Sequence, residues 1–135
     1  MRLIELLRIA RFGIVGLTAA GVHYWVVVAL VELLQIAPLH ANFGGFFMAF
    51  WVSYFGHRHW TFSDAMATHT DGKHSSFLRF LLVALLGFGV NQLMFYLLLH
   101  YAGWPYYLAL AVVVFTVAAM TYVLSRLWAF RHASH

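Results

Sequence analysis

The sequence has no cysteine and few charged residues, and both absences narrow the classes of protein it can encode. Without cysteine there is no disulfide framework, no thiolate metal site and no cysteine nucleophile. Only 9% of the 135 residues are charged and 64% are hydrophobic, whereas soluble domains average about 25% charged and 45–50% apolar. The composition therefore indicates a membrane protein. An enzyme is the weakest functional interpretation, because no carboxylate pair, Ser–His–Asp arrangement or metal site falls at one depth.

Long runs without any Asp, Glu, Lys or Arg predict the membrane spans. Three such runs contain 20, 25 and 46 residues, at 12–31, 33–57 and 80–125. One spanning helix needs about 20 residues, and the runs lack the alternation of polar and apolar residues that a barrel strand requires. Pro38 and Pro105 mark the connections. We therefore predict an all-α membrane protein with four transmembrane helices, at about 9–35, 40–58, 77–101 and 106–127.

The basic residues predict the orientation of these helices. All eight lie before or at the start of the first helix, around the connection between the second and third, or at the end of the fourth: Arg2, Arg8, Arg11, Arg58, Lys73, Arg79, Arg126 and Arg131. The positive-inside rule then places both termini and the 63–76 loop in the cytoplasm. Eight scattered cations are too few for a phosphate-tracking face, so no nucleic acid partner is expected.

The two halves of the sequence resemble each other. A shift of 68 positions aligns Arg11 with Arg79, His23 with Asn91, and the triplet Arg58-x-Trp60-x-Phe62 with Arg126-x-Trp128-x-Phe130. Each half holds two helices, so both enter the membrane from the same side and form a parallel repeat. We predict one domain over 1–135, with repeat one at about 8–62, a cytoplasmic loop at 63–76 and repeat two at about 77–131.

Several motifs carry a resemblance to a known family. RFGIVG opens the first helix at 11–16, Asn42 and Phe50 follow, SYFGHRHWTF lies at 53–62, a second RF at 79–80, and TYVLSRLWAF at 121–130. The chain resembles the GtrA-like family of small four-helix bacterial membrane proteins over about residues 8 to 131. It departs from the family at His57, where Asn is common.

The resemblance implies a function in cell-surface polysaccharide or glycolipid synthesis. A multi-pass protein of the bacterial cytoplasmic membrane would bind polyprenyl phosphate, or a polyprenyl-phosphate-linked sugar, and flip it across that membrane. Membrane glycosyltransferases would make and use this lipid, and membrane lipids surround the helices. No cofactor is implied, and a homo-oligomer is compatible with the interpretation.

Arginine chemistry fits a lipid phosphate, because the planar guanidinium holds two phosphate oxygens at once. We predict that Arg58 and Arg126, assisted by Arg11 and Arg79, bind the phosphate. Six residues are predicted to contact the head group or sugar: Trp60, Trp128, His57, His23, Asn91 and Asn42. The alternatives are that the arginines only set orientation, the aromatic residues form an interfacial belt, and the intramembrane polar residues only pack the bundle.

Other functions remain open at this point. The protein is alternatively a non-transporting subunit that docks or stabilises a glycosyltransferase through its repeated charges. A small drug or cation exporter needs an acid deep in a helix, and Glu32 lies near an end. Nine histidines lack cysteine or carboxylate partners at suitable spacing, so no metal site is expected. Glycines predicted to allow close helix packing are those at 13, 16, 21, 44, 45, 87 and 89.

Overall fold

The computed structural model describes the backbone of residues 2–61 and 73–133 and the side chains of residues 2–60 and 77–123. Within these ranges the chain forms helices only: α1 (Leu3–Leu34), α2 (Pro38–Gly56), a π-helical turn (His57–Thr61) that continues α2, α3 (Lys73–His100) and α4 (Tyr106–Ala133). The all-α prediction is confirmed. The predicted loop lies outside the described residues from 63 to 72, and its last residues belong to α3.

Three of the predicted membrane spans are confirmed by length and composition: α1, residues 77–100 of α3, and residues 106–123 of α4. The 19 residues of α2 extend over about 28 Å at 1.5 Å per residue, close to the roughly 30 Å of a hydrocarbon core. However, α2 also carries His40 and Asn42 and is not among the three helices whose mean hydropathy is high enough for a membrane span. That α2 crosses the membrane stays a prediction.

The helix ends follow from a few residues with special backbones. Gln35 ends α1 in the left-handed conformation, with φ of 55°, and Pro38 begins α2 at a position where a missing N–H costs nothing. Gly103 supplies the positive φ of 68° in the α3–α4 connection. Both connections therefore reverse the chain, so successive helices run antiparallel. We call the end of the bundle that carries Arg11 and Arg58 the basic end, and the end with these two connections the opposite end.

Helices α1 and α4 are longer at the basic end than the sequence predicts. The structure begins α1 at Leu3, not near residue 9, and continues α4 to Ala133, not to about 127. The expected boundaries lay at the outermost arginines of each hydrophobic run. Arginine is a good helix former, so the helices continue past it.

The closest helix packing joins α1 to α2 through three glycines. A Cβ atom on Gly45 would lie 2.6 Å from Val27 Cγ2 and 2.8 Å from the carbonyl oxygen of His23, and one on Gly56 would lie 2.7 Å from Val15 Cγ1. Gly44 approaches α1 in the same way. The packing prediction is confirmed for the glycines at 44 and 45. It is wrong for those at 13, 16, 21, 87 and 89, where a Cβ would meet nothing within 4 Å, because these positions lie on faces that no described helix covers.

In the half of the bundle nearer the opposite end, the two predicted repeats bury residues at equivalent positions. The positions buried in α1 and α2 are also buried 68 residues later, in the pairs His23 and Asn91, Val27 and Phe95, Ala41 and Ala109, Asn42 and Leu110, Gly45 and Val113. Most of these residues form the apolar core. This agreement is what a repeat requires, while the symmetry that relates the two halves stays a prediction.

Candidate functional site

Arg58 lies at the basic end on the π-helical turn, and Tyr54 holds it from one turn earlier. The Arg58 Nη1 atom donates a hydrogen bond to the Tyr54 hydroxyl at 3.0 Å, and its guanidinium carbon lies 5.9 Å from the centre of the Tyr54 ring. Tyr54 is itself buried and Arg58 is half-buried. The guanidinium is therefore held by a fixed aromatic side chain and is not extended freely into solvent.

Arg11 is held at the same end by the other part of the repeated motif. Its guanidinium carbon lies 5.7 Å from the Trp60 ring centre, and its Nη1 donates to the Trp60 carbonyl oxygen at 3.4 Å. This contact joins α1 to the end of α2. The structure thus places two of the predicted phosphate-binding arginines on aromatic residues of one segment, 54–60. A contact between an arginine and an aromatic face is stabilised by the ring quadrupole.

His57 lies beneath these arginines and is 7% exposed. Its ring stacks on Phe12 at 4.7 Å between centroids and approaches the Phe80 ring at 6.1 Å. The predicted head-group contact of His57 therefore requires that Phe12 or Phe80 first move away. In the structure His57 joins α1, α2 and α3 at the basic end.

The other predicted residues of the two arginine–tryptophan motifs are Arg79 on α3 and Arg126 and Trp128 on α4. Arg79 is exposed on the first turns of α3. Its neighbour Phe80 faces the bundle and lies 5.7 Å from the Tyr54 ring. The backbone of Arg126 and Trp128 forms part of α4, and the structure does not describe their side chains.

The predicted polar residues inside the membrane meet at one point, where three helices cross. Asn42 of α2 is fully buried, and its Oδ1 atom lies 2.6 Å from His23 Nε2 of α1. Its Nδ2 atom donates to Asn91 Oδ1 and to Gln92 Oε1 of α3, both at 2.7 Å. Gln92 Nε2 in turn donates to the Leu39 carbonyl oxygen of α2 at 2.9 Å. We call His23, Asn42, Asn91 and Gln92 the polar network.

The polar network is closed in this conformation. In the part of the chain whose side chains are described, no buried side-chain nitrogen or oxygen lacks a hydrogen-bond partner. The structure brings His23, Asn42 and Asn91 into contact, while their contact with a head group or sugar stays a prediction. A head group reaches them only if some of these hydrogen bonds break, so their first role is to fix α1, α2 and α3 relative to one another.

Two tyrosine contacts at the opposite end join the first helix to the fourth. The Tyr106 hydroxyl donates to Glu32 Oε1, and the Tyr24 hydroxyl donates to the Tyr107 carbonyl oxygen at 3.2 Å. Glu32 is exposed and lies two residues before the end of α1. Sequence reasoning missed both contacts, and also Tyr54 as the partner of Arg58. The spacing of four residues on one helix would have indicated the Tyr54 contact.

One comparison with known proteins gives a match. The family model described as "GtrA/DPMS, transmembrane domain" matches residues 11–130, which include both copies of the repeated motif and every residue of the polar network. No curated protein and no solved structure matches the chain.

Proposed function

The chain belongs to the GtrA/DPMS transmembrane-domain family, and from this premise we propose that it binds a polyprenyl-phosphate carrier lipid and moves it across the membrane. The carrier is bound either free or with a sugar attached. Membership of the family indicates a part in lipid-linked sugar or polysaccharide synthesis, and such proteins are generally non-catalytic membrane proteins. Three apolar helices and the family match support a multi-pass membrane protein. We assign it to the bacterial cytoplasmic membrane.

The observation that carries the proposal is the setting of Arg58. A guanidinium has five N–H donors, and within the described part of the chain Arg58 uses one of them, on Tyr54. The others remain for an anion, and the planar fork of the group matches two phosphate oxygens. Because Tyr54 already holds the side chain, little rotamer entropy is lost when a phosphate binds.

Arg11 and Trp60 supply a second charge and an exposed ring beside it. Trp60 is 41% exposed although Arg11 covers part of it. An exposed aromatic ring at a membrane interface offers an apolar face and a polar edge. We propose that Arg11 shares the phosphate with Arg58 and that Trp60 packs against the first isoprene units or the sugar.

The internal repeat of the chain supports the proposed translocation. The repeat offers a second arginine pair, Arg79 and Arg126, at positions equivalent to Arg11 and Arg58. The burial that the two halves share nearer the opposite end is consistent with two related conformations, in which the bundle exchanges the roles of its helix pairs. The polar network would open during this exchange and contact the passing head group.

Lipid binding to site variants tests the proposal. Wild type, Arg58→Ala, Arg58→Lys and Arg2→Ala are titrated with farnesyl phosphate in nanodiscs and analysed by native mass spectrometry. Arg2 is the matched control, since it is an exposed arginine just before α1. A hydrogen bond to a charged group contributes about 1.5–3 kcal/mol, so Arg58→Ala should weaken binding by roughly 10- to 100-fold.

Lysine should restore only part of the affinity, because it keeps the charge and loses the fork. Arg2→Ala should bind as wild type does. Equal affinity in all four proteins would show that Arg58 does not hold the phosphate. If Arg58→Ala instead leaves lipid affinity unchanged and weakens co-purification with a glycosyltransferase, the docking-subunit interpretation replaces the transporter.

A further inference from the structure

The hydroxyl of Tyr54 is a buried polar group whose hydrogen-bonding capacity is only partly used. The side chain is 9% exposed, and its ring packs against those of Phe50, Phe77 and Phe80, with centroids at 6.2, 5.2 and 5.7 Å. A tyrosine hydroxyl both accepts and donates hydrogen bonds. The Tyr54 oxygen accepts from Arg58 Nη1 at 3.0 Å. No nitrogen or oxygen atom of the residues that the structure describes accepts the Tyr54 proton.

The surroundings of this proton consist of apolar rings and one further donor. A buried donor without an acceptor costs free energy, so native structures rarely contain one. The phenylalanine rings around Tyr54 offer no lone pair, and Arg58 has only N–H donors. Two adjacent donor groups that share no acceptor favour an anion with several oxygens, which accepts from both. Because the hydroxyl lies 3.0 Å from Arg58 Nη1, an anion on the guanidinium lies beside it.

The charges at the basic end favour an anion with more than one negative charge. Arg58 and Arg11 are both held on the segment 54–60, the first by Tyr54 and the second by Trp60. Both partners are neutral, so these described contacts leave the two positive charges uncompensated. A phosphate monoester carries a charge of about −1.5 to −2 at pH 7. A phosphodiester carries a single negative charge and compensates only one arginine.

The number of terminal oxygens separates the two kinds of phosphate in the same way. A monoester has three terminal oxygens that are strong hydrogen-bond acceptors. The fork of Arg58 takes two of them, and the third remains for the Tyr54 hydroxyl. A diester has two terminal oxygens, and its third position is an ester oxygen that carries the sugar. Arg58 and Tyr54 together therefore match a monoester better than a diester.

We propose that the Tyr54 hydroxyl donates to the third oxygen of a lipid phosphate monoester on Arg58, so that the site prefers the free carrier to its sugar-linked form. This inference rests on the proposed function and names which of the two forms of the carrier is bound. Tyr54 then has two tasks at the site. It accepts a hydrogen bond that orients Arg58, and it donates one to the phosphate.

Tyr54→Phe removes the hydroxyl and keeps the ring. The ring packing in the bundle should remain, so the variant should fold, and detergent-stable elution with unfolding measurements checks this. Tyr24→Phe is the matched control. It also removes one tyrosine hydroxyl, which donates to the Tyr107 carbonyl oxygen at 3.2 Å at the opposite end. Both variants keep every arginine of the chain.

Binding is measured by native mass spectrometry in nanodiscs for farnesyl phosphate and for its methyl ester. The ester keeps the isoprenoid chain and loses one terminal oxygen and one charge. Wild type should bind farnesyl phosphate roughly 10-fold or more tightly than the ester, as expected for one hydrogen bond to a charged group. Tyr54→Phe should weaken farnesyl phosphate binding by roughly 10-fold or more and ester binding by less than about 3-fold. Tyr24→Phe should bind both lipids as wild type does.

The ratio of the two affinities distinguishes donation to the phosphate from support of Arg58 alone. If Tyr54→Phe weakens both lipids equally, the hydroxyl only orients Arg58, and the inference is overturned while the proposed function stands. If wild type binds the ester as tightly as farnesyl phosphate, the preference for the free carrier is overturned and a sugar-linked lipid replaces it.

Two competitors identify the source of the monoester. Inorganic phosphate and dioleoyl phosphatidic acid carry the same chemistry without the isoprenoid chain, and each should displace farnesyl phosphate only in excess. Displacement by either one at equal concentration would overturn the assignment to the carrier lipid. If wild type binds neither farnesyl phosphate nor its ester, the proposed function itself fails.

Discussion

Replacement of Asn42 by leucine tests whether the polar network holds three helices together. Asn42 is fully buried and makes hydrogen bonds to His23, Asn91 and Gln92. Leucine is the residue at the equivalent position of the second repeat, where Leu110 is also fully buried. The substitution therefore removes the hydrogen bonds and keeps the number and branching of the side-chain heavy atoms.

The magnitude follows from the number of bonds lost. Hydrogen bonds between membrane helices contribute about 0.6 kcal/mol on average and at most about 1.7 kcal/mol. Loss of three such bonds should lower the free energy of unfolding by about 2 kcal/mol, with an upper limit of about 5 kcal/mol. The stranded Asn91 oxygen adds to this cost, because it stays buried without a donor.

Reversible unfolding in mixed detergent and dodecyl sulfate gives the required free energies. Thr18→Ala is the control, since the Thr18 hydroxyl donates to the Ile14 carbonyl oxygen of its own helix, and it should be nearly neutral. A double-mutant cycle of Asn42→Leu with His23→Leu should show a coupling energy of about 0.6 kcal/mol or more. If Asn42→Leu is neutral or stabilising, the network does not fix the helices and the reasoning fails.

Two further predictions concern packing and topology. Gly45→Ala should destabilise the protein by more than about 1 kcal/mol because its Cβ meets the His23 backbone, while Gly89→Ala should not, as unfolding measurements would show. A Gly72→Cys probe should react only from the cytoplasm, and periplasmic labelling would reverse the orientation.

The sequence predicted the helices well and the helix faces poorly. Runs without charge indicate where the helices lie, because a charged side chain is costly in hydrocarbon, and three of the four predicted spans are confirmed by length and composition. All four helices, however, are apolar on every side, so no periodic pattern shows which side packs inward. This is why five of the seven glycines were expected at close contacts that the structure does not contain.

The sequence predicted those residues of the candidate site that recur in the internal repeat. Arg58 and Trp60 recur 68 residues later, and that recurrence singled them out. Asn42 has no such counterpart, since Leu110 stands at the equivalent position. Its place at the centre of the network depends on how α2 is turned toward α1 and α3, which only the packed structure shows. The π-helical turn at His57–Thr61 was likewise not predicted from the sequence.

Translocation in reconstituted vesicles tests the central claim most directly. Wild type and Arg58→Ala are incorporated into liposomes that contain a fluorescent polyprenyl phosphate, and dithionite is added to quench the outer leaflet. Protein-free vesicles should lose about half of their fluorescence, whereas wild type should expose the inner pool and lose nearly all of it. Arg58→Ala should slow this second phase by roughly 10-fold or more. A wild-type trace that coincides with that of protein-free vesicles would contradict the account.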